Sequence, residues 1–186
     1  MSVSAQLKRQ IETDLRAVHV LFCNECHTHA LALIYSSIDK MAWLYSPEVD
    51  HGRQDFMRWV DDFMLAGEPR PYDSKDLYAA RCALLHTGTV ESKLYRDGKA
   101  RRIIYATGPK RSYEALQAEL ESLITAEGAA KEDLIVIHWA EISDLWIDAL
   151  QRFEAAIKAD RGLMARTNER SEKYLKFVLS EPTSRS

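Results

Sequence analysis

Apolar residues three and four positions apart run through the first half of the chain, and that spacing constrains the fold more than any other feature. Leu7, Ile11, Leu15, Val18 and Phe22 mark one face of a helix over residues 3–21. A polar cluster of Asn24, Glu25, His27, Thr28 and His29 reads as the turn into a second helix over 30–45, with Leu33, Ile34, Ile38, Met41 and Leu44 on its apolar face. Ser46-Pro47 ends that helix, because the residue before a proline is pushed out of the helical region. Phe56, Trp59, Val60, Phe63 and Met64 give a third, shorter helix, stopped by Gly67-Glu68-Pro69-Arg70-Pro71. The fourth has the clearest start: Asp73 or Ser74 caps it, Asp76 stands near the first-turn amides, and Gly88 is its stop. Four helices with short connections make a bundle. With seven glycines and five prolines in 186 residues, an all-β sandwich lacks the turns it needs.

Beyond residue 88 the pattern changes. Segments 93–95 and 99–106 flank Asp97-Gly98, a hairpin turn signal, and Ile103-Ile104-Tyr105 is rich in strand formers. Residues 112–126 return to helical spacing. Ile135-Val136-Ile137 suits either a third strand over 134–139 or the opening of the next helix, which carries Ile142, Leu145, Trp146, Leu150 and Phe153. A last helix is expected over 161–179, then a polar tail over 181–186. The expected fold is mainly α and a single domain over 1–186. It comprises a four-helix bundle over 1–88, then a small β-hairpin or short sheet and C-terminal helices over 89–186. Trp43, Trp59, Trp139 and Trp146 fall on apolar helical faces and read as core, and the acid-rich segment 114–127 reads as a solvated face or a partner contact.

The longest apolar stretch, 30–45, is interrupted by Asp39 and Lys40, whereas a membrane span needs about 20 apolar residues. Lys8, Arg9, Glu12 and Asp14 stand where a signal peptide would be apolar, so a cytoplasmic protein without a membrane partner is expected. Three cysteines give no disulfide framework. Cys23-Asn24-Glu25-Cys26-His27, with His29 close behind, has the form of a haem attachment or half a zinc site. Haem attachment requires export, however, and structural zinc draws its ligands from two separate elements. A helix-hairpin turn with a half-buried cysteine pair is the preferred reading, with no metal and no cofactor.

Arg81 and His86 close the fourth helix. Five residues subtend about 140° on an ideal helix, so the two side chains flank a groove rather than stack. Their chemistry suits phosphoryl transfer. Arginine offers a fixed fork of donors to a phosphate, and histidine takes or gives a proton near neutral pH. A metal-free ribonuclease needs a base or acid for the 2′-hydroxyl or the leaving oxygen, and a cation for the charge growing on phosphorus. The alternative is structural: Arg81 pairs with Asp39 or Asp76, and His86 interacts with the helix dipole.

Four helices with an Arg-x4-His motif on the fourth resemble the HEPN superfamily, over roughly the first 110 residues. The segment Tyr78-Ala79-Ala80-Arg81-Cys82-Ala83-Leu84-Leu85-His86-Thr87-Gly88 is similar to its bacterial branch, as is Ser36-Ser37-Ile38-Asp39-Lys40-Met41-Ala42. The resemblance implies a homodimer whose two Arg/His pairs line one cleft. It also implies metal-independent endoribonuclease activity of the kind found in toxin–antitoxin, abortive-infection or RNA-processing systems. By motif position Arg81 would contact the scissile phosphate, His86 would be the general base or acid, and Asp39 would orient one of them. Gly88 stands where the nucleotidylated branch carries a tyrosine, which argues against that regulation.

The net charge of -3 conceals a basic stretch: residues 93–111 carry seven cations against Asp97 alone. Lys99, Arg101 and Arg102 are the expected contacts to an RNA backbone, with Tyr95, Tyr105 and Tyr113 available to stack bases. A solvated hairpin whose charges protect an edge strand is the structural counterpart. The leading expectation is thus a homodimeric endoribonuclease leaving a 2′,3′-cyclic phosphate, with an antitoxin or other protein as partner. Cys82, where the family often has a polar residue, favours a second reading, a catalytically silent module that binds RNA, a nucleotide or a protein. In a third, Arg81 and His86 belong to an intramolecular ion-pair network of a structural helical protein.

Overall fold

The computed structural model describes residues 2–48, 50–89, 91–127 and 134–173. Helix α1 (Ala5–Cys23) is opened by the Ser4 hydroxyl, which accepts from the Leu7 amide, and it packs on α2 (His27–Tyr45). The turn between them is shorter than expected. His27, Thr28 and His29 already form the first turn of α2, and Asn24 closes α1 by bonding back to the Val20 carbonyl. Helix α3 (Arg53–Trp59) continues into a π-helical segment, Val60–Met64, and the carbonyls of Phe63 within it and Ala66 beyond it accept from Arg152.

Helix α4 (Ser74–Thr87) forms as the sequence predicts. Asp73 accepts from the Lys75 and Asp76 amides, Asp76 reaches back to the Asp73 amide, and Gly88 ends the helix at φ +63°. That left-handed backbone is one a glycine adopts without strain.

The hairpin expected at Asp97-Gly98 is absent. Ser92 caps a single helical turn, α5 (Lys93–Arg96), and Gly98, at φ +63°, ends it with Gly98 N–H bonded to Tyr95 O and Lys99 N–H to Leu94 O. This is the helix-stop geometry that glycine favours. The strand that follows, β1 (Arg102–Ala106), therefore pairs elsewhere. A crossover through α6 (Tyr113–Glu127) brings in β2 (Leu134–His138), and the two strands run parallel with Ile103 opposite Ile135 and Tyr105 opposite Ile137. A parallel pair requires such a long crossover. The ambiguous segment beginning at residue 134 is thus a strand leading directly into a helix, α7 (Trp139–Ala159). Asp160 accepts from Gly162 and Leu163 to open α8 (Arg161–Ser171). The remainder of the expected last helix and the polar tail lie outside the described residues.

The two-stranded sheet separates two apolar layers. Ile103, Ile135 and Ile137 face the helices, while Leu134 and Val136 meet Leu116, Leu120 and Ile124 of α6. Helix α2 is central to the larger layer: Ala30, Ile34, Ile38, Met41 and Ala42 are fully buried in a cluster that also holds Trp146, Phe153 and Leu163. The helices after the sheet thus share this core instead of decorating a bundle completed at residue 88. Trp59 and Trp146 are fully buried, whereas Trp43 and Trp139 are only partly so. Among the described residues no helix is long and apolar enough to cross a membrane.

Candidate functional site

Asp39 lies near the middle of α2, and Arg81 lies on α4 across from it. Arg81 Nε–H and an Nη2–H both donate to Asp39 Oδ2, at 2.8 and 2.6 Å. The two side chains are only about one-fifth exposed, at 19% and 20%. Burial works against the Arg81 charge, but the Asp39 carboxylate more than offsets it and holds the guanidinium above its ordinary pKa. One turn further along α4, Arg81 Nη1 stands 3.0 Å from His86 Nε2. Angular separation on the helix does not prevent this contact, because an arginine side chain is long enough to reach along the helix axis.

A guanidinium only donates hydrogen bonds. A hydrogen bond here requires His86 Nε2 to present its lone pair, which the tautomer carrying its proton on Nδ1 does. His86 itself is exposed. Of the five N–H donors of an arginine, the contacts to Asp39 and His86 use three, leaving donors on Nη1 and Nη2. Nη1 lies only loosely against Cys82 Sγ, at 4.0 Å. The Tyr78 ring lies beneath the guanidinium, 6.0 Å from centroid to Cζ, and burial followed by its bond to Cys82 pushes the phenol pKa up. The arrangement is a cation clamped by an acid, beside an imidazole base that water reaches.

The expected RNA-binding residues are placed differently. Arg101 is turned onto Asp76, whose side chain is 3% exposed: its amide donates to Oδ1 at 2.8 Å and its Nη2 to Oδ2 at 2.6 Å. That ties the approach to β1 to the start of α4. Arg102 lies over the Tyr95 ring, 5.4 Å away, and reaches Glu91 at 3.4 Å. Lys99 is exposed, with a loose 3.4 Å contact to Asp97. Lys110 pairs with Asp144 and Arg111 with Glu119. The Tyr105 hydroxyl is bonded to that of buried Tyr35, so it is turned inward. Asp39, Arg81 and His86 are thus brought together, whereas Arg101 and Arg102 are engaged within the fold.

The cysteine–histidine cluster is dispersed. Cys23 Sγ lies 3.6 Å from His19 Nε2, Cys26 Sγ donates to the Asn24 carbonyl, and the His27 ring stacks near Trp139 with centroids 5.5 Å apart. Among the described residues no group of three or more His, Cys, Asp or Glu side chains is disposed to hold a metal ion. Trp139, which sequence reasoning placed in the core, instead stacks on Phe22 at 3.7 Å and walls two surface grooves. Nothing in its local sequence marks it out, because its neighbours across the grooves come from α1, α2 and α4.

Compared with known proteins, the chain matches no family model, no curated protein and no solved structure.

Proposed function

We propose that the protein is a metal-independent endoribonuclease of HEPN type that acts as a homodimer in the cytoplasm, in a toxin–antitoxin or defence setting. The observation that carries this reading is the Arg81 guanidinium held between Asp39 and an exposed His86. A phosphate arriving at Nη1 and Nη2 takes over the N–H now given to His86 and frees the Nε2 lone pair. That lone pair accepts the ribose 2′-hydroxyl proton as the 2′-oxygen attacks phosphorus. Arg81 stabilises the charge on the non-bridging oxygens. His86 of the second copy, protonated, gives its proton to the departing 5′-oxygen, leaving a 2′,3′-cyclic phosphate. Asp39 touches no substrate; it positions Arg81. Of the three cations expected to hold the RNA backbone, Lys99 is the most exposed, its side chain at 61% against 40% for Arg101 and 19% for Arg102.

The test is cleavage of labelled single-stranded RNA in EDTA. Wild type is expected to cleave, and Arg81→Ala and His86→Ala each to slow cleavage at least a hundredfold while keeping the native circular dichroism. Cleavage unchanged by either substitution overturns the assignment. The second reading, a silent binding module, is favoured by one observation: Arg81 already has acceptors within its own protomer. Salt-sensitive RNA binding without cleavage would establish it.

A further inference from the structure

A groove of about 520 Å³ has its walls in α2, α4 and β1, with Trp139 at the start of α7 completing it. Its volume is that of a small-molecule site rather than of a protein–protein groove. Leu31, Ala80 and Leu84 make its apolar sides. Its α4 wall, Ala80, Leu84 and Gly88, spans the same turns of α4 that carry Arg81 and His86, neither of which lines the groove.

Three consecutive strand residues, Ile103, Ile104 and Tyr105, line it. Successive side chains of a strand point to opposite faces, and here Ile103 belongs to the helical layer and Ile104 to the α6 layer. A surface that touches both must run along the edge of β1. Among the described residues the sheet has two strands, so this is the edge that β2 does not cover; along such an edge a strand's outward backbone groups alternate as donors and acceptors. His27, also in the wall, has its Nδ1 buried with no hydrogen-bond partner. The groove thus combines apolar sides with a polar rim of alternating donors and acceptors.

We propose that this groove takes one unstacked nucleobase of the RNA chain. A base is flat, with apolar faces suited to Leu31, Leu84 and Trp139 and an edge of alternating donors and acceptors suited to a strand edge. The backbone edge would read that base while its neighbouring phosphate lies at Arg81. The inference rests on the ribonuclease reading for the identity of the ligand as RNA, but it makes a separate demand: the groove binds a base whether or not cleavage follows.

The experiment titrates the full chain with each of the four ribonucleoside 5′-monophosphates, and with ribose 5-phosphate as the base-free control. Wild type is expected to bind at least one nucleotide ten times or more tightly than ribose 5-phosphate. Two filling variants, Thr28→Trp at an exposed position and Ala80→Phe deeper in, are expected to weaken that binding at least tenfold. Nucleotide binding without RNA cleavage supports the groove and defeats the ribonuclease reading. RNA cleavage with no nucleotide binding, and with the same sites cut by Thr28→Trp, defeats the groove and leaves the ribonuclease reading intact. Equal affinity for ribose 5-phosphate and the nucleotides overturns the groove. So does displacement of bound nucleotide by none of the other three bases but by an extended peptide, since β1 would then be a peptide-docking edge.

Discussion

At Asp39 a single carboxylate oxygen accepts two N–H groups of Arg81, and Arg81 in turn directs a third toward His86. Removing the charge while keeping the shape tests what that pair does. Asp39→Asn is expected to cost about 1–2 kcal/mol, the value for a hydrogen bond to a charged group discounted for partial exposure, in urea unfolding. The same variant should lower RNA cleavage, because an unheld guanidinium no longer fixes His86. Unchanged stability together with unchanged cleavage would remove Asp39 from the account. The pairing of Asp39 with Arg81 is one of two partners the sequence offers for that arginine, and Asp76, the other, is taken by Arg101. The Arg81–His86 contact was hidden by angular reasoning alone, which places the two Cα–Cβ bonds but ignores how far an arginine extends along the axis.

Among the elements, α4 is the one most readable from residues, because its capping box and glycine stop are local interactions between near neighbours. Asp76 is also where a long-range tie enters. Asp76→Ala removes a box partner and the acceptor of both Arg101 bonds, so it is expected to cost about 3 kcal/mol, whereas Arg101→Ala is expected to cost about 1–2 kcal/mol. Thermal and urea unfolding measure both, and RNA affinity should follow stability rather than the lost charge of Arg101. The hairpin expectation failed at Gly98, since Asp-Gly serves equally as a two-residue hairpin turn and as a helix stop. What decides between them is Ser92, whose hydroxyl caps the Tyr95 amide and commits Lys93–Arg96 to a helical turn. An added Cβ at Gly98 meets nothing within 4 Å, so Gly98→Ala carries only the left-handed backbone strain. Its expected cost is about 1 kcal/mol in the same unfolding assays.

For the whole molecule, the helical class and much of the core followed from apolar spacing, since burial depends on that period whichever helices become neighbours. The neighbours themselves did not follow. Helices α7 and α8 pack on α2 from far along the chain: Arg170 reaches carbonyls of Trp43 in α2 and of Ser46 and Glu48 just beyond it, and Asn168 bonds the backbone of Ser2 and Ser4. The basic stretch shows the same limit, because a linear charge count cannot see that Asp76, Glu91, Glu119 and Asp144 come to meet it. The central claim is that His86 and Arg81 cleave RNA through its own 2′-hydroxyl, and the chemistry of the cut ends tests it most directly. Mass spectrometry of fragments made by the wild-type chain in EDTA should show 2′,3′-cyclic phosphate and 5′-hydroxyl ends that disappear with His86→Ala. Fragments ending in 3′-hydroxyl and 5′-phosphate, or cyclic ends that persist in His86→Ala, would contradict it.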